Sequence, residues 1–225
     1  MLAWFLLFST SMEVLEGAVA LLTAYYALKF YRLVREDKLL KLFLAFLSMG
    51  LGLVVHGITA GGVLISLARL RPALAFLTLR GSSYALFTCE AAGYILLSLT
   101  YARLPREEEG GAEGPEGSAA LLLATAAAAR PVRPELLVVL MRPPPVLEGI
   151  ALALLIYLSA RTTSNFLSRK EVNPFLVCFS FLFLTAARAC FLLSFALAAL
   201  YITGHVIQLL AFLSFLLLVL RVMRS

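Results

Sequence analysis

The chain has 225 residues, 62% of them hydrophobic and 14% charged, with a mean hydropathy of +0.96 and a formal net charge of +6. A soluble domain is nearer half apolar and about a quarter charged, and a β-barrel reads as short alternating segments. Runs here reach the roughly 20 apolar residues that a membrane span needs, so both of those classes are excluded. The basic residues sit at the ends of the runs, which marks them as topology signals and not as a nucleic-acid surface.

In chain order, residues 1–8 are apolar but lack a basic leader and a small-residue cleavage site, so they read as retained. The first span is expected over 12–31. Thr10-Ser11-Met12-Glu13 has the form of a capping box that would start it. Residues 1–9, with Trp4 and Phe5, would then lie at the interface; one long tilted helix from Leu2 is the alternative. A basic loop follows, with Lys29, Arg32, Arg35, Lys38 and Lys41. The second span, 42–67, is rich in glycine, and Gly57 and Gly61 have the spacing that lets helices approach closely in lipid. Arg69-Leu70-Arg71-Pro72 is a turn, and the third span runs over 75–101. Residues 105–117, dense in Glu and Gly, form a solvated linker. Residues 118–141 are apolar but divided by Arg130-Pro131-Val132-Arg133-Pro134. The last three spans fall at 146–166, 175–200 and 204–220.

The chain carries a copy of itself. Val14-Leu15-Glu16-Gly17 returns as Val146-Leu147-Glu148-Gly149, and the register then holds without a gap: Leu22 matches Leu154, Tyr25 matches Tyr157, Lys38 matches Lys170 and Ser48 matches Ser180. An acid–glycine pair inside apolar sequence is not a cheap coincidence, and a duplicated membrane unit directs attention to the interface between its copies. The units are 1–104 and 146–225, joined by the linker at 105–117 and the divided segment at 118–145.

That segment decides the architecture. With the N-terminus outside and 118–142 crossing, only Arg69, Arg71 and Arg142 fall outside, while most other Lys and Arg lie in cytoplasmic loops or at the C-terminus. The expectation is an all-α integral membrane protein of seven spans, two three-helix repeats in parallel orientation joined by a broken linker span (3+1+3). Six spans with an inverted second unit is the alternative. The plasma membrane is expected, with a cytoplasmic C-terminus. In outline the seven-span arrangement resembles the sugar-transporter and PQ-loop topology, although the chain has no Pro-Gln motif.

Ionisable side chains inside spans are costly and mark function or a buried pair. Glu90 falls near the middle of the span at 75–101 and Arg188 near the middle of the span at 175–200, so opposite charges share a depth. Their bland reading is a structural ion pair; their functional one is a substrate or proton pathway. His56 aligns with Arg188 in the repeat. Glu16 and Glu148 align with each other, and both lie in first turns, where the helix dipole also accounts for an anion. Arg80 and Gln208 complete the polar set. His56 and His205, on different helices, admit a b-type haem as a minor reading. Cys89, Cys178 and Cys190 have no metal spacing and read as small packed residues.

There is no H-x-x-x-H, no C-x-x-C and no glycine-rich phosphate loop, and Asp37 is the sole aspartate. The chain does not read as an enzyme, and no cofactor is expected. The leading reading is a small-solute or ion-coupled carrier with a polar site at the repeat interface. The alternative is a non-catalytic accessory, scaffold or sensory subunit of a larger membrane complex. The partners expected are the bilayer, other membrane subunits or a second copy of the chain, and no nucleic acid.

Overall fold

A computed structural model describes residues 2–66, 72–101, 144–169, 172–194 and 198–224. The linker at 105–117, the divided segment at 118–141 and the Arg69–Arg71 turn lie outside the described residues. The described chain is helical: α1 (Leu2–Val34), α2 (Asp37–Ser66), α3 (Pro72–Tyr101), α4 (Pro145–Arg169), α5 (Val172–Leu193) and α6 (Ala198–Val222). Five of these are long and apolar enough to cross a membrane, and the protein is read as an integral membrane protein on that basis. The exception, α3, holds Arg80, Glu90 and several hydroxyl residues within its apolar sequence.

Helix boundaries follow local chemistry. α1 starts at Leu2, so the first span is one long helix with no cap at Thr10. The reason is side-chain competition. The Thr10 hydroxyl donates back to the Leu7 carbonyl at 3.1 Å, and the Glu13 carboxylate is engaged by His56. The expected basic loop contracts to Arg35 and Glu36. Arg35 takes a left-handed conformation (φ 54°), and its N–H closes the last turn on the Tyr31 carbonyl at 2.7 Å. α3 and α4 each begin on a proline, whose missing N–H costs nothing in a first turn.

The break between the last two helices also moves. α5 ends at Leu193 instead of near residue 200, and α6 begins at Ala198 instead of Gly204. The Ser194 hydroxyl bonds the Phe191 carbonyl at 2.5 Å and its N–H bonds the Cys190 carbonyl at 2.9 Å, closing α5 there. Tyr201 is thereby placed on α6 with its ring against Phe191.

Each helix packs on its neighbours in chain order, and α1 closes onto α6. Close approach is set by small residues. A Cβ on Gly17 would lie 2.7 Å from Val54 Cγ2 and 3.0 Å from the Gly50 carbonyl oxygen, and one on Gly57 would lie 2.9 Å from Val14 Cγ2. Gly93 serves α3 in the same way, sitting under Met49. The matched glycine of the second unit, Gly149, meets nothing within 4 Å, so the two copies of the Val-Leu-Glu-Gly stretch do different packing work.

The core is a layer rich in alanine, leucine and phenylalanine drawn from all six described helices. At one end of the bundle a cavity of about 390 Å³ is bounded by the end of α1 (Phe30), the start of α2 (Leu39, Leu42), the end of α3 (Tyr101) and the end of α4 (Asn165). The start of α5 (Asn173, Val177) and the end of α6 (Val222) complete it. α1, α3, α4 and α6 therefore run toward this end, and α2 and α5 run away from it.

Candidate functional site

The buried acidic and basic side chains gather in the other half of the bundle. Glu13 and Glu16 come from the first half of α1, His56 from the second half of α2, and Ser83 and Glu90 from α3. Glu148 stands at the start of α4, Arg188 near the end of α5, and Tyr201, His205 and Gln208 near the start of α6. The four glutamates, two histidines and Arg188 are each 0–3% exposed. Every helix contributes, so the cluster lies between the first three helices and the last three.

Arg188 is its centre. The guanidinium pairs with Glu90, donates to both Glu148 oxygens at 3.1 and 3.2 Å, and donates twice to the Tyr94 hydroxyl at 3.0 and 3.2 Å. Forked donors of this kind suit several acceptors in one plane. Its face is closed by the Phe191 ring, 5.6 Å from the guanidinium carbon. The opposite charges that share a depth in the sequence thus meet, and Glu148 joins them from a third helix.

Two histidine–carboxylate pairs lie beside it. His56 Nδ1 is 2.7 Å from Glu13 Oε2, and its Nε2 is 3.3 Å from the Ser83 hydroxyl. Glu13 is also approached by Tyr201 at 3.4 Å, and Tyr201 and Ser9 share a 2.9 Å hydrogen bond. His205 Nδ1 is 2.9 Å from Glu16 Oε1, with the imidazole edge-on to Tyr201 and Phe191. Gly204 leaves room for that Phe191 ring: a Cβ there would lie 2.6 Å from it. The three groupings sense one another. Glu16 interacts electrostatically with Glu13 and Arg188, and Glu90 with Glu148 and Glu16.

Four buried polar atoms have no hydrogen-bond partner among the described residues: Glu16 Oε2, Glu90 Oε2, His205 Nε2 and Gln208 Oε1. Buried polar atoms are rarely left so. Among the described residues no group of three or more His, Cys, Asp or Glu side chains is placed to hold a metal ion. Both ring nitrogens of His56 already have protein partners, while His205 keeps Nε2 without one.

Of the residues singled out in the sequence, Glu16, His56, Glu90, Glu148, Arg188 and Gln208 are all buried in this half of the bundle. Arg80 lies instead over the exposed ring of Tyr84, 5.1 Å from its centroid. Glu13, Tyr94 and Tyr201 were not singled out. In the sequence Glu13 has the place of a capping residue, and the tyrosines look like ordinary span aromatics. The available signal for Glu13 was its spacing: one turn before Glu16, it puts two carboxylates on one helical face. The matched acid–base positions are used asymmetrically as well. Glu148 pairs with Arg188, but His56 pairs with Glu13, and Glu16 reaches across to His205. Compared with known proteins, the chain matches no family model, no curated protein and no solved structure.

Proposed function

We propose that the protein is a proton-coupled membrane carrier of a small solute, with its site at the interface between two three-helix units. One observation carries the reading. Four buried carboxylates, Glu13, Glu16, Glu90 and Glu148, face a single permanent cation, Arg188, and two histidines whose charge depends on bound protons. Each uncompensated charge taken out of water costs several kcal/mol even after relaxation. The cluster therefore needs protons to approach neutrality, and its proton content is coupled to whatever occupies or opens the interface. Carriers built from repeats hold their cargo at the interface between the repeats, and the cluster has the corresponding place here.

In this reading the units are parallel repeats in a seven-span, 3+1+3 arrangement, with residues 118–142 crossing between them. Support comes from helix direction: Tyr101 of α3 and Asn165 of α4 line the same cavity, so α3 and α4 run toward the same end, as parallel units require. The N-terminus is placed outside and the C-terminus in the cytoplasm, as the distribution of Lys and Arg favours. The protein is non-catalytic.

The test is electrical. Purified protein is reconstituted on a supported membrane and challenged with panels of sugars, amino acids, organic acids and amines, with and without a pH gradient. A solute-induced current that needs the gradient and disappears in Glu90→Gln supports the carrier. Solute currents that ignore both would refute proton coupling at this site.

The aromatic enclosure of His205 by Phe191 and Tyr201 favours a second reading. A proton-binding cluster held in a dry surround also suits a sensory or accessory subunit that reports protonation to a partner. Obligate co-purification with another membrane chain, together with silence across the panel, would identify it.

A further inference from the structure

Between the cavity at one end and the polar cluster in the other half lies a third layer, present on every helix. On α3 it separates Tyr94 from Tyr101, two turns and roughly 10 Å apart. On α5 it separates Arg188 from Val177, about three turns or roughly 16 Å. Its centre is aromatic. Phe215 packs on Phe46 at 5.0 Å and on Phe181 at 5.2 Å, and Phe181 packs on Tyr101 at 5.4 Å. The three phenylalanines are completely buried. They come from α6, α2 and α5, and so from both three-helix units.

We infer that the cavity is the second mouth of the pathway that serves the polar cluster, and that Phe46, Phe181 and Phe215 are the closed barrier between them. The ligand of this route is the proton, carried by water that enters the cavity. The inference rests on the reading of the cluster as a proton site. A proton moves along hydrogen-bonded groups, and a phenyl ring offers neither donor nor acceptor in its plane. Apolar constrictions of this kind exclude water and hold a pathway shut. On the cluster side, Tyr94 presents a hydroxyl bonded to Arg188, beside Glu90. On the cavity side, the Tyr101 ring stands on Phe181, and Asn165 and Asn173 give the walls polar atoms. Polar groups thus flank the ring layer on both sides. The Phe46–Phe215 contact joins the two units, so a small rotation of one against the other would part Phe46 from Phe215 and admit water.

The experiment uses the full chain in liposomes loaded with a pH-sensitive dye, with a potassium diffusion potential to drive proton entry. Phe215→Ala and Phe181→Ala open a gap in the ring layer. Proton entry is expected to rise at least about tenfold, equivalent to about 1.4 kcal/mol off the barrier. Phe215→Leu, which keeps most of the volume and the fold, gives a smaller rise in the same direction. Phe179→Ala, on the outward face of α5, stays at the wild-type rate. Adding Glu90→Gln to Phe215→Ala returns the leak toward wild type. Wild-type proton entry in both Phe215→Leu and a folded Phe181→Ala overturns the inference, and so does a leak indifferent to Glu90→Gln. The predicted leak pattern without any coupled solute would refute the carrier and leave this barrier standing.

Discussion

Replacing Arg188 by Met tests whether one guanidinium holds the interface together. The substitution keeps much of the volume and removes the only permanent cation among the buried groups of the described residues. It breaks the pairing with Glu90, two bonds to Glu148 and two to Tyr94. Glu90 and Glu148 are then left as buried acids without a counter-charge. Removing one partner of a buried pair costs about 3–5 kcal/mol, chiefly through the stranded charge. Glu90→Gln alone is milder, since Arg188 keeps Glu148 and Tyr94; a lost charged hydrogen bond is about 1.5–3 kcal/mol. The triple variant Arg188→Met, Glu90→Gln, Glu148→Gln removes the unpaired charges along with their partner and should recover most of the loss. Unfolding by dodecyl sulfate titration, followed by circular dichroism, ranks the variants. If Arg188→Met is no more harmful than Arg161→Met, or if the triple variant is worse than Arg188→Met, charge compensation is not what stabilises this interface.

The two copies of Val-Leu-Glu-Gly should respond oppositely to a methyl group. Gly17→Ala places a Cβ against Val54 and the Gly50 backbone and should cost about 1–3 kcal/mol as overpacking, whereas Gly149→Ala meets open space and should gain up to about 1 kcal/mol of helix propensity; the same titration reads both, and equal losses would contradict the packing described. Single cysteines at Arg35 and Val146 should label from opposite sides of a sealed vesicle, and labelling from the same side would favour six spans with an inverted second unit. Purified protein should be colourless, since His56 is already engaged on both nitrogens; a haem absorbance band would refute that assignment of His56.

Much of the site was legible because membrane sequences punish idle charge. Glu90 and Arg188 stood out against apolar neighbours, and helices that match in depth brought them together. Glu16, His56 and Glu148 were marked by the repeat. The partners were not legible. The repeat aligns Glu16 with Glu148 and His56 with Arg188, which suggests two equivalent pairs; instead the first unit shifts by a turn and uses Glu13, and Glu16 bonds a histidine of the other unit. Such choices depend on helix rotation, which small residues such as Gly17 and Gly57 set through packing that no periodicity reveals. Helix ends were misplaced where a side chain overruled the pattern: the Ser194 hydroxyl ends α5 early, and Thr10 bonds backward instead of capping. The aromatic barrier was invisible for another reason. Phe46, Phe181 and Phe215 look the same in sequence as Phe175 and Phe179, which face outward.

The claim that the interface cluster is a proton site is tested most directly by infrared difference spectroscopy of the reconstituted protein across a pH titration. The predicted result is a carboxylic-acid C=O band, distinct from carboxylate, that changes with pH and is reduced in both Glu16→Gln and Glu90→Gln. A spectrum with no protonated carboxyl signal at any pH where the protein stays folded, or one that both variants leave unchanged, would contradict it.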